Sequence, residues 1–217
     1  MPSVADIWNM ALSHVGADAN VVSTAPPDSS VEAGYCNRFW PIARKLGLES
    51  HPWTWAKTRG TLAAVTNPST TWAYAYALPS DCVRPLRVLQ SQTVTDFIGW
   101  PWLPAPTADE LQLWSESGSA LFQVEDGVLL AHEPDAVLLY TRDITDTTKY
   151  STGFTMFVGY LLASYIGPPI VKGVEGIKLG RGLLEMATLM GKRAAAEDAN
   201  RSSETSEYVP DAIRRRQ

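Results

Sequence analysis

The sequence predicts an α+β fold: an antiparallel helical bundle built from the N- and C-terminal helices, an inserted antiparallel β domain, and an extended C-terminal tail. Three observations lead there. Apolar residues recur at helical spacing before Trp53, alternate after it, and return to helical spacing from Gly153. The division that follows is a helical bundle domain of residues 1–56 and 150–200, an inserted β domain of residues 57–149, and a tail of residues 201–217.

The first helix is expected over about residues 4–15. Ser3 followed by Asp6 resembles a capping box with Asp in place of Glu, and Val4, Ile7, Trp8, Ala11, Leu12 and Val15 keep helical spacing until Gly16. Ser29 with Glu32 is an S-x-x-E box that opens a second helix, whose predicted inner face is Tyr35, Cys36, Phe39, Ile42, Ala43 and Leu46. Pro41 lies inside it. A proline there removes a backbone donor and crowds the preceding turn, so a kink or break is expected near Phe39–Trp40.

Beyond Trp53, residues Trp72, Tyr74, Tyr76 and Leu78 fall on one face of an extended segment closed by Pro79, which is strand patterning. Leu86, Val88 and Leu89 suggest another strand. In QVEDGVLLAHEPDAVLLYTRD, Asp126-Gly127 is suited to a tight hairpin turn and Glu133-Pro134-Asp135 to a second, predicting a three-strand antiparallel meander. Residues 93–119, with Pro101, Pro104, Pro106, Trp100, Trp102 and Trp114, read as an insertion or long loop.

From Gly153 the residues Phe154, Phe157, Val158, Leu161, Leu162 and Tyr165 form a broad apolar helical face, which Pro168-Pro169 is expected to end. Gly153 to Val171 carries no charge, so a membrane span has to be considered. The prolines leave only about fifteen helical residues where a span needs about 20, and a buried bundle helix is the reading adopted. The last helix is expected over about residues 182–199, with Leu183, Leu184, Ala187, Met190, Ala194 and Ala195 inside. After Asn200 the sequence RSSETSEYVPDAIRRRQ loses periodicity.

Composition narrows function. The chain of 217 residues is 45% hydrophobic, which supports one or two domains with a core. A net charge of -5 argues against a broad basic surface wrapped around nucleic acid, because such binding replaces phosphate counterions with lysine and arginine. The start MPSVADIW lacks a basic segment followed by an apolar stretch, so synthesis and residence in a cytoplasm are expected. Cys36 and Cys82 have no CxxC spacing and read as buried free thiols.

No complete set of catalytic groups emerges. His14, His51 and His132 have no HxxxH spacing, so neither a metal nor a cofactor is expected. Gly180-Arg181-Gly182 starts like a dinucleotide loop, but Glu185 stands where the third glycine belongs and no strand leads into it. GxxxxGK[ST] and GxSxG are absent. The pairs Asp109-Glu110 and Glu125-Asp126, or Cys36 with His51, would be the material of a hydrolase; the second pair is accounted for by its turn, and Cys36 lies on an apolar stripe. A glycan-binding or peptidoglycan-degrading protein, which the resemblance described below would make virion-associated, is therefore the alternative reading, and a non-enzymatic one is preferred.

Of the eight tryptophans, Trp8, Trp53, Trp55 and Trp72 are expected to anchor the core, and Trp40 shares their helical or strand patterning. Trp100, Trp102 and Trp114 are left as candidates for binding or subunit contact.

The segments IWNMALSHVG, HPWTWAKTRGTL and TWAYAYALPSDCVRPLRV, then a meander ending LLYTRD and a helix FTMFVGYLLASYI, together resemble the tail tubular protein A family. Members of that family are head-to-tail adaptors of short-tailed phages. The matching residues are Asn9, Ala11, Leu12 and Gly16, then Trp53, Trp55, Ala56, Arg59 and Leu62, and later Tyr74, Leu78, Pro79 and Tyr140. The likeness runs over about residues 4–199 by element order; Pro41 and the proline-rich 100–106 stretch depart from it.

The resemblance implies a structural subunit in the virion neck, assembled in the host cytoplasm. Identical subunits would form a ring, expected to be twelvefold, between a portal protein and a tail nozzle protein. Genome DNA would pass through without sequence-specific binding, and no stable membrane association is implied. The tail then acquires an expected role. Tyr208, Val209, Pro210 and Ile213 offer apolar anchors, and Arg214, Arg215 and Arg216 offer forked donors for carboxylates, so this segment is expected to bind the portal.

Overall fold

In a computed structural model of the chain, residues 2–18, 20–89 and 119–201 are described. The expected 93–119 loop, apart from Ser119, and the tail beyond Arg201 lie outside the described residues. Among the described residues the fold is α+β, with four α-helices and two antiparallel sheets.

Helix α1 spans Val4–Val15, as its periodicity predicts. The capping box is complete: Asp6 N–H donates to Ser3 Oγ at 3.2 Å, and Ser3 N–H donates to Asp6 Oδ2 at 2.7 Å. Gly16, at φ 78°, ends the helix in the left-handed region that glycine enters without strain. Ile7, Trp8, Ala11, Leu12 and Val15 are buried along one face.

Helix α2 spans Val31–Ser50 and corrects three expectations. Its cap is Ser30, whose hydroxyl accepts from Ala33 N–H, so the S-x-x-E register was one residue early. Pro41 does not break it. Both Pro41 and Asn37, whose carbonyl loses its partner, are exposed, so water can take the lost bond. The buried stripe is Ala33, Cys36, Trp40, Ala43 and Gly47, while Ile42 and Leu46, predicted inside, are 52% and 43% exposed.

Helix α3 spans Thr152–Val171, running through Pro168 and Pro169 where an end was expected. Both prolines sit in its last turn, so their fixed φ still suits the helix and the chain need not continue past the two bonds they cannot make, those to the carbonyls of Ser164 and Tyr165. Lys172 and Gly173, at φ 59° and 65°, then turn the chain into helix α4, Gly173–Ala199. This helix starts well before the expected residue 182. Gly176 and Gly180 look like breakers in sequence, yet they are what lets α4 approach α3. A Cβ on Gly180 would stand 2.8 Å from Pro168 Cγ, and one on Gly176 3.1 Å from the Pro168 carbonyl oxygen. The inner stripe also differs from expectation, since Leu184 is 47% exposed and Gly176, Gly180 and Asp198 are buried.

Helix α3 is apolar on every side, and α1, α2 and α4 all pack against it. By length and composition it would also suffice to cross a membrane, so the length argument against a span falls. Within this fold most of its surface is instead covered by the three neighbouring helices.

The β strands are β1 Lys57–Thr61, β2 Ala63–Ala64, β3 Tyr74–Ala77, β4 Cys82–Leu89, β5 Ser119–Ala120, β6 Phe122–Glu125, β7 Val128–Ala131 and β8 Val137–Arg142. One sheet has the order β1-β8-β4-β5 and the other β2-β3-β7-β6, all antiparallel. Asp126 and Gly127, at φ 46° and 76°, make the expected two-residue hairpin between β6 and β7. The meander does not continue. Glu133-Pro134-Asp135 carries the chain from one sheet to the other, and β8 pairs with β1 and β4 rather than with β7. Tyr76 Oη donates to the Glu133 carbonyl at 2.6 Å, tying this crossing to β3.

Two buried clusters result. One joins the four helices through Trp8, Trp40, Trp53, Phe154, Leu162 and Ile166 among others. The smaller lies between the sheets, where Tyr76 and Leu129 meet Val88, Leu138 and Tyr140.

Candidate functional site

The 3-10 turn Thr54–Ala56 follows α2 and leads directly into β1, so Trp53 and Trp55 stand where helical structure passes to sheet. Trp53 is fully buried; its Nε1 donates to the Gly47 carbonyl at 2.9 Å, and its ring meets Phe154 edge-on at 5.0 Å. Trp55 is half-buried against Tyr150 and Phe154. Trp8 is buried in the same helical cluster. Trp72 departs from its expected place: it precedes β3 instead of lying in it, and it is half-buried, stacked on His132 at 4.7 Å. Alternation placed it on the face of Tyr76, but the strand starts only at Tyr74, which is itself exposed. The expected portal-binding residues Tyr208, Val209, Pro210, Ile213, Arg214, Arg215 and Arg216 lie outside the described residues, as do Trp100, Trp102 and Trp114.

Polar bonds clamp the same junction. Arg44 on α2 grips Asp143, just past β8, with Nε–Oδ1 at 3.1 Å and Nη2–Oδ2 at 2.9 Å. Arg84 on β4 donates to the Glu49 carbonyl at 3.0 Å. Asp198, buried near the end of α4, accepts from Thr54 N–H at 2.8 Å and Thr54 Oγ1 at 2.7 Å, with His51 Nε2 at 3.6 Å. Sequence reasoning passed over Arg44, Asp143 and Asp198, because partners about a hundred or more residues apart leave no local pattern.

The groups considered for hydrolysis are poorly placed for it. Burial, with Glu32 nearby, pushes the Cys36 thiol up to about 12, which keeps it protonated and inert. Burial and Asp81 push Cys82 up to about 11. Glu125 and Asp126 stand at the exposed hairpin between β6 and β7, and Asp109-Glu110 lies outside the described residues. Among the described residues no three His, Cys, Asp or Glu side chains gather as a metal site would require.

Among the described residues, two concave surfaces stand out. On the β1-β8-β4 face, Lys57, Arg59 and Arg87 surround Leu139 in a depression of about 580 Å³. Arg59, Leu139 and Arg87 lie in one cross-strand row, and both arginines already hold other contacts. The second is an apolar groove of about 340 Å³ between α2 and α4, floored by Phe157 and Leu161 of α3 and walled by Leu46 and Leu184. With Ile42 above Leu46 on the same flank of α2, this groove makes the helical side apolar on the outside as well as within.

Comparison of the chain with protein-family models and with curated proteins returned no match.

Proposed function

We propose that this chain is a structural head-to-tail adaptor subunit of a short-tailed phage, one of a ring of identical subunits, expected to be twelvefold, between portal and tail nozzle. The order of segments from IWNMALSHVG to FTMFVGYLLASYI supports the family reading, and the observation that carries the assembly reading is the apolar groove between α2 and α4. An assembling subunit needs apolar surface that its own fold does not consume. In this reading residues 1–56 and 150–200 act as a helical bundle that meets neighbours, residues 57–149 form the inserted β domain, and genome DNA passes through the ring without sequence-specific contact. The role is non-enzymatic and virion-bound, without stable membrane association.

Residues 201–217 are the proposed portal-binding segment, through Tyr208, Val209, Pro210, Ile213 and the arginines 214–216. Electron microscopy of the purified protein mixed with portal proteins of short-tailed phages tests both points. Added ring density on portal is the expected result, lost when residues 201–217 are deleted. A protein that forms no ring alone and binds neither portal nor nozzle protein at micromolar concentration would not be an adaptor.

A further inference from the structure

We propose that the depression on the β1-β8-β4 face receives the β6–β7 hairpin tip of a second copy of this chain, with Glu125 and Asp126 of the tip set against Lys57, Arg59 and Arg87. The inference rests on the ring reading above and names one pair of surfaces that joins neighbours in it.

The two sheets carry opposite charge. Strands β1, β4 and β8 hold Lys57, Arg59, Arg84, Arg87 and Arg142 and no acid, whereas β2, β3, β6 and β7 hold Glu125 and no base, and Asp126 adds a second acid at the hairpin. Two of the cations are engaged elsewhere: Arg142 pairs with Asp81 at 2.8 Å, and Arg84 donates to the Glu49 carbonyl. The other three line the depression, whose described lining includes Leu86, Leu89 and Leu139 but no carboxylate. Leu139 stands between Arg59 and Arg87 in its cross-strand row, so the two arginines lie two strand spacings apart, about 10 Å. Both already hold contacts, but a guanidinium has five N–H donors and can take a further carboxylate beside an existing partner.

The hairpin tip is the matching convex part. Residues 123–127 are all exposed, and the two-residue turn keeps the tip narrow. Among the described residues neither Glu125 nor Asp126 enters an ion pair; Glu125 accepts from Gln123 Nε2 at 2.7 Å on its own strand.

Within one chain the two parts do not meet. Val88, Leu138 and Tyr140 point into the space between the sheets, so Arg59, Leu139 and Arg87 point away from the sheet that carries the hairpin. An acidic tip on one sheet and a cation-lined hollow on the other are different, complementary patches. Such patches join copies head to tail, which is the kind of contact that closes into rings. Two copies meeting hollow to hollow would instead oppose cations, and two meeting tip to tip would oppose carboxylates.

The test compares full-length Glu125→Lys and Arg87→Glu proteins with wild type, each alone, mixed, and on portal, by sedimentation and by ring density. Both positions are exposed, and circular dichroism checks each fold first; if Arg87→Glu does not fold, Arg59→Glu replaces it. Each substitution alone should weaken self-association roughly tenfold, because it sets like charges across the contact. The mixture should regain paired copies at wild-type strength, since the native tip of one protein then meets the native hollow of the other. A loss in Arg87→Glu with wild-type association in Glu125→Lys would assign the hollow to a different acidic segment and overturn the proposal. A mixture no stronger than its components would overturn it too. Oligomers that neither substitution weakens would remove this seating and leave the ring reading standing. No oligomer alone or on portal would remove both.

Discussion

Asn9 and Val21 are joined through both backbone groups of the valine. Val21 N–H donates to Asn9 Oδ1 at 2.7 Å, and Asn9 Nδ2 donates to the Val21 carbonyl at 2.9 Å. One amide side chain on α1 thus replaces a strand partner for the segment before α2, and holds the Val21 side chain in the helical core.

Asn9→Ala should accordingly cost about 1–3 kcal/mol, since it leaves two partly buried backbone groups without partners. Urea unfolding would show it as a lower midpoint with an unchanged slope. A wild-type midpoint in Asn9→Ala would mean that water replaces the amide at no loss.

Trp53 and Trp55 should respond unequally to truncation. Trp53→Ala removes a fully buried ring and its bond to Gly47, and should cost about 3–5 kcal/mol; Trp55→Ala, at a half-buried ring whose Nε1 has no acceptor among the described residues, should cost clearly less. Thermal melting of the two variants gives the order. Equal losses would show that the two rings act as one packed unit.

Two glycines of α4 should give opposite signs when changed to alanine. Gly180→Ala places a methyl 2.8 Å from Pro168 and 3.1 Å from the Ser164 carbonyl, an overpacking worth about 1–3 kcal/mol that outweighs the better helix propensity. Gly182→Ala meets nothing within 4 Å and should stabilise by up to about 1 kcal/mol. Melting temperatures that move in the same direction for both would contradict the close approach of α3 and α4 at Pro168.

Acid should destabilise the fold before the carboxylates protonate. Burial lowers His14 below its ordinary 6.5, and burial, together with the charges of Lys57 and Arg84, lowers His51 too, although Asp198 acts in the opposite direction. As pH falls through 6.5 the unfolded chain takes up protons that the folded chain resists, so this stability is complete above 6.5 and drains away as pH drops toward the lowered folded values. Melting temperature followed from about pH 7.5 to about pH 5.5 should decline, and the double variant His14→Gln, His51→Gln should decline less. An equally steep decline in the double variant would place its origin elsewhere.

Much of this fold is legible in local sequence, and the reasons are local. Ser3 and Asp6 are three residues apart and complete a cap on their own, Gly16 supplies the left-handed residue that ends α1, and Asp126-Gly127 supplies the two left-handed residues of a hairpin. The groove was not legible in the same way. Ile42, Leu46 and Leu184 have the spacing of buried residues, and periodicity reports that a stripe is apolar without reporting whether anything covers it.

Among the described residues, the sequence by itself determined the kind and order of the long helices, the capped start of α1 and the turn between β6 and β7, because those choices depend on side chains within one or two turns of each other. Only the tertiary structure decided the rest. Pro41 is tolerated because the lost bond faces water, and Gly176 and Gly180 belong to a helix because Pro168 lies against them. Likewise β8 joins β1 and β4 rather than β7, because the buried Leu138 and Tyr140 face Tyr76 and Leu129 across the gap between the sheets. Each of these outcomes is set by a neighbour distant in the chain, whose contact free energy outweighs a local preference of about 1–3 kcal/mol.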